Sequence, residues 1–415
     1  MNDQKKENIN IVNNVFDEVT NSFIDDQDSI ISNEAERAKL RYQQRERKFK
    51  IWAASRKCIF RNCEQNSISN SHTIQKKGSL QIISEAGHLL TPTFNPKLEG
   101  LALEKIGIKR ASTFPGFCIH HERIFNSFEN KSKFDSNRDI QLQIFRTISR
   151  ELVIKQLYLE CFEKMLKNYI DFRNKKLITQ FGKKIGRSFL TENNIQFKSL
   201  SFQNIDIRED QLEKKIEDFR DDISEFDKDF YNAICNDLEN GKENELSIIS
   251  IHLDHQIPLS LAGRGNFNYK DNNGKILNIQ SILLVLPFND HTYVIGATPK
   301  RNKAYLDNYF KMFTQHPLTL LVMIEGWMLH GSDHWFLKPS VWDKITREMQ
   351  SNIIKAIESV EKNVGHFCEF SIFNELRQII LNDLNEIDPD VLKPSFKEFI
   401  IKEKAKLTKS FKYAS

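Results

Sequence analysis

The chain has 415 residues, a formal net charge of +4 and a hydrophobic fraction of 40%, with 31 phenylalanines. This composition excludes an intrinsically disordered protein, and the length is enough for roughly two to four domains. Six cysteines in a chain of this length do not make a disulfide scaffold, which is typical of a reducing compartment. No apolar run follows the charged N-terminus, and no stretch is long enough to span a bilayer. We therefore predict a cytoplasmic protein without membrane contact.

The expected fold class is α+β, with several domains. The pattern predicts a basic helical lead over residues 1–57, a small metal-binding module over 58–128, a long-helix middle over 129–245 and a C-terminal α+β domain over 246–415, which ends in a helical tail. The chain has neither a Gly-rich phosphate loop nor a G-x-S-x-G nucleophile elbow, so neither type of active site is indicated.

Two segments in the first half are strongly basic. Residues 36–57 hold nine Lys and Arg residues against two acidic residues, and residues 164–187 hold eight against one. Such segments are usually solvated helix faces, but next to a metal-binding module they also fit the phosphates of a nucleic acid. Both segments are therefore predicted phosphate contacts.

Two pairs of zinc-ligand residues follow the basic lead. Cys58 and Cys63 bracket a short turn, and Cys118 and His121 come later in F-C-I-H-H-E. Zinc is bound by thiolates and imidazoles that two short loops present in pairs, so these four residues predict a tetrahedral Cys3His site. Cys118 and His121 share one face if a helix begins there, whereas His120, the competing ligand, points away.

The order of a Cys pair, then His-x-Ile at His72, then C-x-x-H resembles the zinc-supported form of the HNH nuclease module. The resemblance covers residues 58–128 and implies a small ββα fold of the treble-clef type with a structural Zn²⁺. It implies that His72 is the general base that deprotonates the attacking water, a role that suits a histidine. It also implies that Glu122, which follows the last zinc ligand, binds a catalytic Mg²⁺ or Mn²⁺.

Two features of the same segment keep a non-catalytic interpretation open. Ser71 precedes His72 at a position where HNH modules often carry an acidic metal ligand. The middle Asn of the motif has no clear counterpart in this sequence. The alternative is a zinc-binding module that binds nucleic acid or a protein partner without cutting it.

The middle of the chain is predicted to be helical. An apolar stripe over residues 145–169 repeats at three- and four-residue steps for about seven turns. We expect this stripe to be the core face of a helix packed within its own chain, with a homodimer through the same face as the alternative. A second, acidic helix is expected over residues 206–239, closed by Asn240 and Gly241.

After residue 246 the pattern changes to short β-rich runs separated by glycines and other turn residues. These runs cover residues 248–258, 276–286 and 293–297. Helices are expected over 303–313 and 318–330, and an exposed Lys-rich helix after Pro394. The histidines of H-L-D-H and L-H-G-S-D-H-W are interpreted as hydrogen-bonded residues rather than as a second metal site.

The motif and the basic segments together predict a metal-dependent nucleic-acid endonuclease of HNH type, with DNA or RNA as its substrate. The combination of this module with an α+β domain that binds or senses something further suggests an effector of a bacterial defence or toxin system.

Overall fold

The computed structural model describes residues 14–15, 56–95, 100–131, 133–186, 207–241, 244–271, 273–359, 364, 371–385 and 394–411. Helices and strands both contribute many elements, so the α+β class is confirmed. Most of the predicted basic lead over residues 1–57 lies outside the described residues, and with it all of the first basic segment except Arg56 and Lys57. No described helix combines the length and the apolar character needed to cross a membrane.

The chain forms two compact units, each made of two segments. The first unit comprises Met1–Ala54 and Ile154–Glu225, and the second comprises Ser55–Val153 and Phe226–Ser415. The division into four consecutive parts stays a prediction, and strand pairing joins residues 88–95 to the C-terminal sheet.

Between the two predicted ligand pairs the chain forms two antiparallel strand pairs. Strand β1 (Ser71–His72) pairs with β4 (Thr113–Phe114), and β2 (His88–Asn95) pairs with β3 (Gly100–Gly107). A π-helical turn and helix α1 follow β1, and β4 leads into α2, a 3-10 turn and α3. These five elements are Lys76–Leu80, Gln81–Ile83, Ile119–Glu122, Arg123–Phe125 and Asn126–Glu129. Strands β1 and β4 with α2 give a ββα order, and the β2–β3 hairpin is inserted between the two strands.

The β2–β3 hairpin lies where prolines and glycines predict irregular structure. Pro92 lies inside β2, opposite Leu103 of β3. It is tolerated because β2 pairs with its other neighbour only at Leu90, so the missing N–H of Pro92 interrupts no second ladder.

The first unit contains an antiparallel pair of helices. Helix α4 (Asn137–Ile185) ends before Gly186, whose positive φ of 77° stops it, and its residues from Ile154 onward run against α5 (Ile207–Phe226). Phe162 lies against Phe219, with ring centroids 5.2 Å apart. The later part of the apolar stripe is therefore packed within the chain, as expected.

The predicted phosphate contact of the second basic segment is wrong for one of its residues, Arg173. It lies in α4, it is buried, and it pairs with the buried Glu209 of α5. Arg173 therefore belongs to the interior of the first unit and not to a solvated face that could contact phosphates.

Seven strands of the second unit form one antiparallel sheet in the order β3-β2-β9-β6-β7-β8-β5. Its other strands are β5 to β9, namely Leu246–Leu253, Leu259–Lys270, Ile276–Pro287, Thr292–Pro299 and Trp335–Leu337. The metal-binding segment enters this sheet where Leu90 of β2 lies opposite Leu337 of β9. Strand β7 is buried from residue 281 to 287 because both of its faces are covered.

Strand β6 contains two glycines that made it difficult to predict from the sequence. Gly263 and Gly265 predict a turn, yet both lie inside β6. A Cβ atom on Gly265 would lie 2.5 Å from the ring of Trp327, and one on Gly263 would collide with the side chain of Ser332. Both positions are glycine because neighbouring side chains approach the strand closely.

Helices cover the sheet and complete the second unit. A π-helical turn (Asp227–Asn232) leads into α6, and a 3-10 turn (Lys300–Asn302) leads into α7. Helices α6 to α12 are Ala233–Asn240, Lys303–Phe313, Pro317–His330, Pro339–Asp343, Arg347–Glu358, Asn374–Asn385 and Pro394–Phe411. Helix α8 is buried at Leu318 and from residue 320 to 329, and it lies within the main apolar core. Helix α6 ends at Gly241 in the left-handed conformation, as predicted.

The Lys-rich tail forms helix α12, but this helix is not simply exposed. Its Glu403 is buried and accepts a hydrogen bond of 2.6 Å from Nε of Arg377 in α11. Arg377 also pairs with Glu325 of α8 at 2.8 Å, and all three side chains are almost fully buried. The tail is therefore attached to the core through a buried ionic network as well as through apolar contacts.

Candidate metal centre and adjoining histidine

The first ligand pair lies in a tight knuckle from Cys58 to Cys63. The backbone N–H of Cys58 donates to the carbonyl of Gln65 at 2.7 Å, and that of Cys63 donates to Phe60 at 3.1 Å. The turn places Asn62 in the left-handed region, with a φ of 58°, which Asn tolerates better than most residues. The sequence C-I-F-R-N-C therefore folds back on itself and presents both thiols to one cluster.

The second ligand pair lies at the start of α2. Cys118 is the N-cap residue, and its Sγ accepts a hydrogen bond of 3.5 Å from the backbone N–H of His121. The predicted helix start is confirmed, with both side chains on one face. His120, the competing ligand, is exposed and lies outside the cluster.

The four predicted zinc ligands converge. Nδ1 of His121 lies 3.5 Å from Sγ of Cys58 and 3.3 Å from Sγ of Cys118, and the sulfurs of Cys63 and Cys118 are 4.0 Å apart. Tetrahedral zinc with its usual bonds to sulfur and nitrogen gives edges of about 3.6–3.8 Å. All four ligand atoms lie within 4.8 Å of one another. Three thiolates and one imidazole nitrogen can therefore hold a zinc ion here.

The surroundings of the cluster also fit a bound cation. Burial raises the pKa of the Cys58 thiol to about 12, so this thiol is neutral unless a cation stabilises its thiolate. Phe60 stacks on the imidazole of His121 with ring centroids 4.0 Å apart, and Phe145 of α4 packs edge-on against Phe60. These rings fix the orientation of the imidazole and restrict water beside it.

The knuckle is attached to the helices that follow the first unit in sequence. Arg61 donates hydrogen bonds to Oδ1 of Asn232 at 2.7 Å and to Oδ1 of Asn236 at 2.9 Å. The hydroxyl of Tyr231 donates to the carbonyl of Ile59. A metal ion held at the knuckle would therefore be coupled to the packing of residues 227–240, within the second unit.

His72 lies in β1, as predicted, opposite Thr113 of β4. Its Nδ1 lies 3.1 Å from the carbonyl oxygen of Ala111, so Nδ1 carries the proton and donates, and Nε2 keeps a free lone pair. Burial, together with the positive charge of Arg146, lowers the pKa of His72 to about 4. The imidazole is therefore neutral at pH 7, which is the form that a general base requires.

A rigid turn holds the carbonyl that orients His72. Ser112 has a φ of 60°, and its Oγ accepts a hydrogen bond of 2.9 Å from the N–H of Ile74. Its carbonyl accepts another, of 2.7 Å, from the N–H of Thr73. A non-glycine residue in the left-handed region persists where its surroundings fix it, and such residues concentrate at functional sites. The orientation of His72 is thus determined by the β1–β4 pair.

Glu122 lies beside a buried arginine that forms two ion pairs. Arg146 of α4 is only 2% exposed and pairs with Glu122 and with Glu129, the latter at 2.6 Å. The second carboxylate oxygen of Glu129 accepts a hydrogen bond of 3.3 Å from the N–H of Lys76. Oε2 of Glu122 is buried and has no hydrogen-bond partner in the described part of the chain. This atom is the predicted ligand for Mg²⁺ or Mn²⁺, and its role stays a prediction.

Sequence reasoning missed Arg146 and Glu129. Helix α4 buries polar residues beside its apolar stripe, among them Gln143, Arg146 and Thr147, so the stripe does not reveal which charges face the interior. Glu129 is a single acid at the end of a short helix. Nothing in the spacing of either residue separates it from the solvated charges common in such segments.

Two of the histidines interpreted as hydrogen-bonded residues, His252 and His334, form such bonds. Nδ1 of His252 lies 3.0 Å from Oδ1 of Asp254, and the His252 ring stacks on His291. His334 is buried and its Nδ1 lies 2.7 Å from the carbonyl oxygen of Ala262. Among the residues that the structure describes, the Cys3His cluster is the one group of three or more ligand side chains that could hold a metal ion.

No known protein family, curated protein or solved structure matches this chain. Its function is therefore inferred from the chemistry of the metal cluster and of the residues around His72.

Proposed function

We propose that this protein is a metal-dependent nucleic-acid endonuclease of HNH type, in which zinc is structural and His72 is the general base. The observation that carries the proposal is the state of His72. It is neutral, fixed through Nδ1, and placed on a ββα unit whose helix start and preceding knuckle share one metal cluster. Glu129 and Arg146 supply charged groups near it, and Arg146 also pairs with Glu122.

The proposed reaction is hydrolysis of a phosphodiester bond. Nε2 of His72 takes a proton from a water molecule, and the hydroxide oxygen attacks phosphorus. The bond from phosphorus to the leaving oxygen then breaks, and that oxygen takes a proton from solvent. A bound Mg²⁺ or Mn²⁺ supplies positive charge to the phosphoryl group and the leaving oxygen, and Oε2 of Glu122 is the atom that would hold it.

A cleavage assay on plasmid DNA and on structured RNA tests the proposal. Each substrate is incubated with the protein and Mg²⁺ or Mn²⁺, and with EDTA in parallel. The His72→Ala variant should lose cleavage by about 10²–10⁴-fold, the usual contribution of a positioned base. The matched control is His88→Ala, because Nδ1 of His88 lies 2.9 Å from the carbonyl oxygen of Ala86 but its side chain is exposed.

Equal cutting by the native protein and by His72→Ala would assign the reaction to another site. Absence of cutting by both would favour the second candidate, a zinc module that binds nucleic acid or a protein without cutting it. The ion pairs of Arg146 support this second candidate, because they neutralise Glu122 and Glu129 and leave few carboxylate oxygens for a catalytic cation.

A further inference from the structure

Four cationic residues near His72 in sequence form no ion pair within the part of the chain that the structure describes, and together they are called the basic rim: Lys76, Lys77, Lys109 and Arg110. Lys76 and Lys77 begin the π-helical turn that follows β1, and Lys109 and Arg110 lie in the turn that precedes β4. None of the four forms an ion pair with any residue that the structure describes. Several other arginines of the second unit pair with acids, as Arg61, Arg301 and Arg377 do.

The basic rim is close to the imidazole on both sides. The positive charge of Lys76 contributes to the lowered pKa of His72, which places the ammonium group within electrostatic range. On the other side, Arg110 directly precedes Ala111, whose carbonyl oxygen lies 3.1 Å from Nδ1 of His72. Lys77, Lys109 and Arg110 are exposed. The charge of Lys76 and the backbone next to Arg110 are therefore close to the imidazole, and Lys77 and Lys109 adjoin these two residues in sequence.

Hydrogen bonds hold the backbone of the basic rim in place. The N–H groups of Arg110 and Ala111 donate to the carbonyl of Gly107 at 2.9 and 3.0 Å, and Oγ1 of Thr113 donates to the carbonyl of Arg110 at 3.0 Å. The N–H of Lys76 donates to Glu129. Because the backbone is already ordered, a ligand has only the side chains of the rim to order when it binds.

We propose that the basic rim binds the backbone phosphates on either side of the phosphodiester group that faces His72. The inference rests on the proposed function for the role of His72. Unpaired lysines and arginines are the groups that neutralise phosphates and release counterions, and arginine can hold two phosphate oxygens at once. Contacts of this kind position a strand without reading its bases, so the rim binds all sequences alike.

Binding measurements test this inference separately from cleavage. His72→Ala protein, which leaves the probe intact, is titrated with fluorescent duplex DNA, single-stranded DNA and an RNA hairpin at several salt concentrations. Two double variants each remove one side of the rim: Lys76→Gln with Lys77→Gln, and Lys109→Gln with Arg110→Gln. The charge-matched control combines Lys311→Gln and Lys355→Gln, two exposed lysines of α7 and α10.

Each rim variant should raise Kd for every sequence of the preferred probe, and the control should not. The slope of log Kd against log salt should fall by about 2 for each double variant, or about 1 for each lost phosphate contact. The preferred probe identifies the nucleic acid whose phosphates the rim binds.

Two outcomes would overturn the inference. In the first, both rim variants have the same Kd and the same salt slope as the His72→Ala protein from which they are made. This result would overturn the inference even if cleavage by the native protein depends on His72. The other is no binding of any probe by the parent at low salt. Rim-dependent binding without cleavage by the native protein would instead contradict the proposed function and leave the inference intact.

Discussion

At the scale of single residues, Arg146 is the charged side chain with the largest effect on His72. It is buried and pairs with Glu122 and Glu129, and the carboxylate of Glu129 favours a protonated imidazole. Burial is the larger cause that lowers the pKa of His72, and the positive charge of Arg146 lowers it further. Together they keep this pKa at about 4. Removing one partner from such a buried group of charges leaves the others uncompensated, so each member matters for the rest.

Two substitutions should move the pKa of His72 in opposite directions. Arg146→Gln removes a cation that lowers this pKa, which should then rise from about 4. Glu129→Gln removes a carboxylate that raises it, so the pKa should fall. NMR titration of the histidine ring signals measures both changes. The acid limb of the pH profile of cleavage should shift in the same directions, because only the neutral imidazole accepts a proton.

An unchanged pKa in both variants, or a shift of the same sign in both, would show that these charges do not control His72. Far-UV circular dichroism is the control here, since an unfolded variant would show an ordinary histidine pKa whatever the site does.

The zinc ligands could be predicted from the sequence because zinc accepts few residue types and short loops set their spacing. Cys58, Cys63, Cys118 and His121 all fall in the cluster, and the strand position of His72 is also as expected. Arg146 could not be found in the same way. Its contacts with Glu122 and Glu129 exist only because α4 packs against the helices that follow β4.

At the scale of elements, local signals predicted the helices better than the strands. Helix α7 has the predicted bounds, because residues close together in the sequence define both its amphipathic pattern and its ends. Strand β6 contains glycines that read as a turn, because the ring of Trp327 approaches the strand from a distant helix. Strands β2 and β3 were not predicted, because their prolines and glycines indicate irregular structure. A hairpin near the sheet edge tolerates these residues.

Helix α12 offers a test of how the tail is attached. Glu403→Ala should lower the free energy of unfolding by about 3 kcal/mol, because it breaks a buried ion pair while Arg377 keeps its contact with Glu325. The matched control is Glu398→Ala on the same helix, whose pair with Lys402 is 69% exposed on both sides. This control should change stability by no more than about 0.5 kcal/mol.

Urea unfolding of both variants beside the native protein gives these free energies. A loss from Glu403→Ala no larger than that from Glu398→Ala would mean that apolar contacts alone hold the helix.

At the scale of the whole molecule, the second unit combines residues that are far apart in sequence. Strand β2 joins the metal-binding segment to the sheet at Leu337, and Arg61 attaches the knuckle to residues 227–240. Residues 58–128 were predicted as a separate module because the ligand pairs and turn residues that define it end near residue 128. Strand pairing between distant segments leaves no such local signal.

Zinc coordination by the Cys3His cluster is the claim on which the proposed HNH-type module depends. X-ray absorption at the zinc edge of the purified protein tests it most directly. We predict one zinc per chain, with three sulfurs at about 2.3 Å and one nitrogen at about 2.0 Å. Cys118→Ser should lose the metal and destabilise the second unit, whereas Cys161→Ser, on α4 outside the cluster, should keep both metal and stability. Zinc-free protein of native stability, or a zinc shell without sulfur, would contradict this assignment.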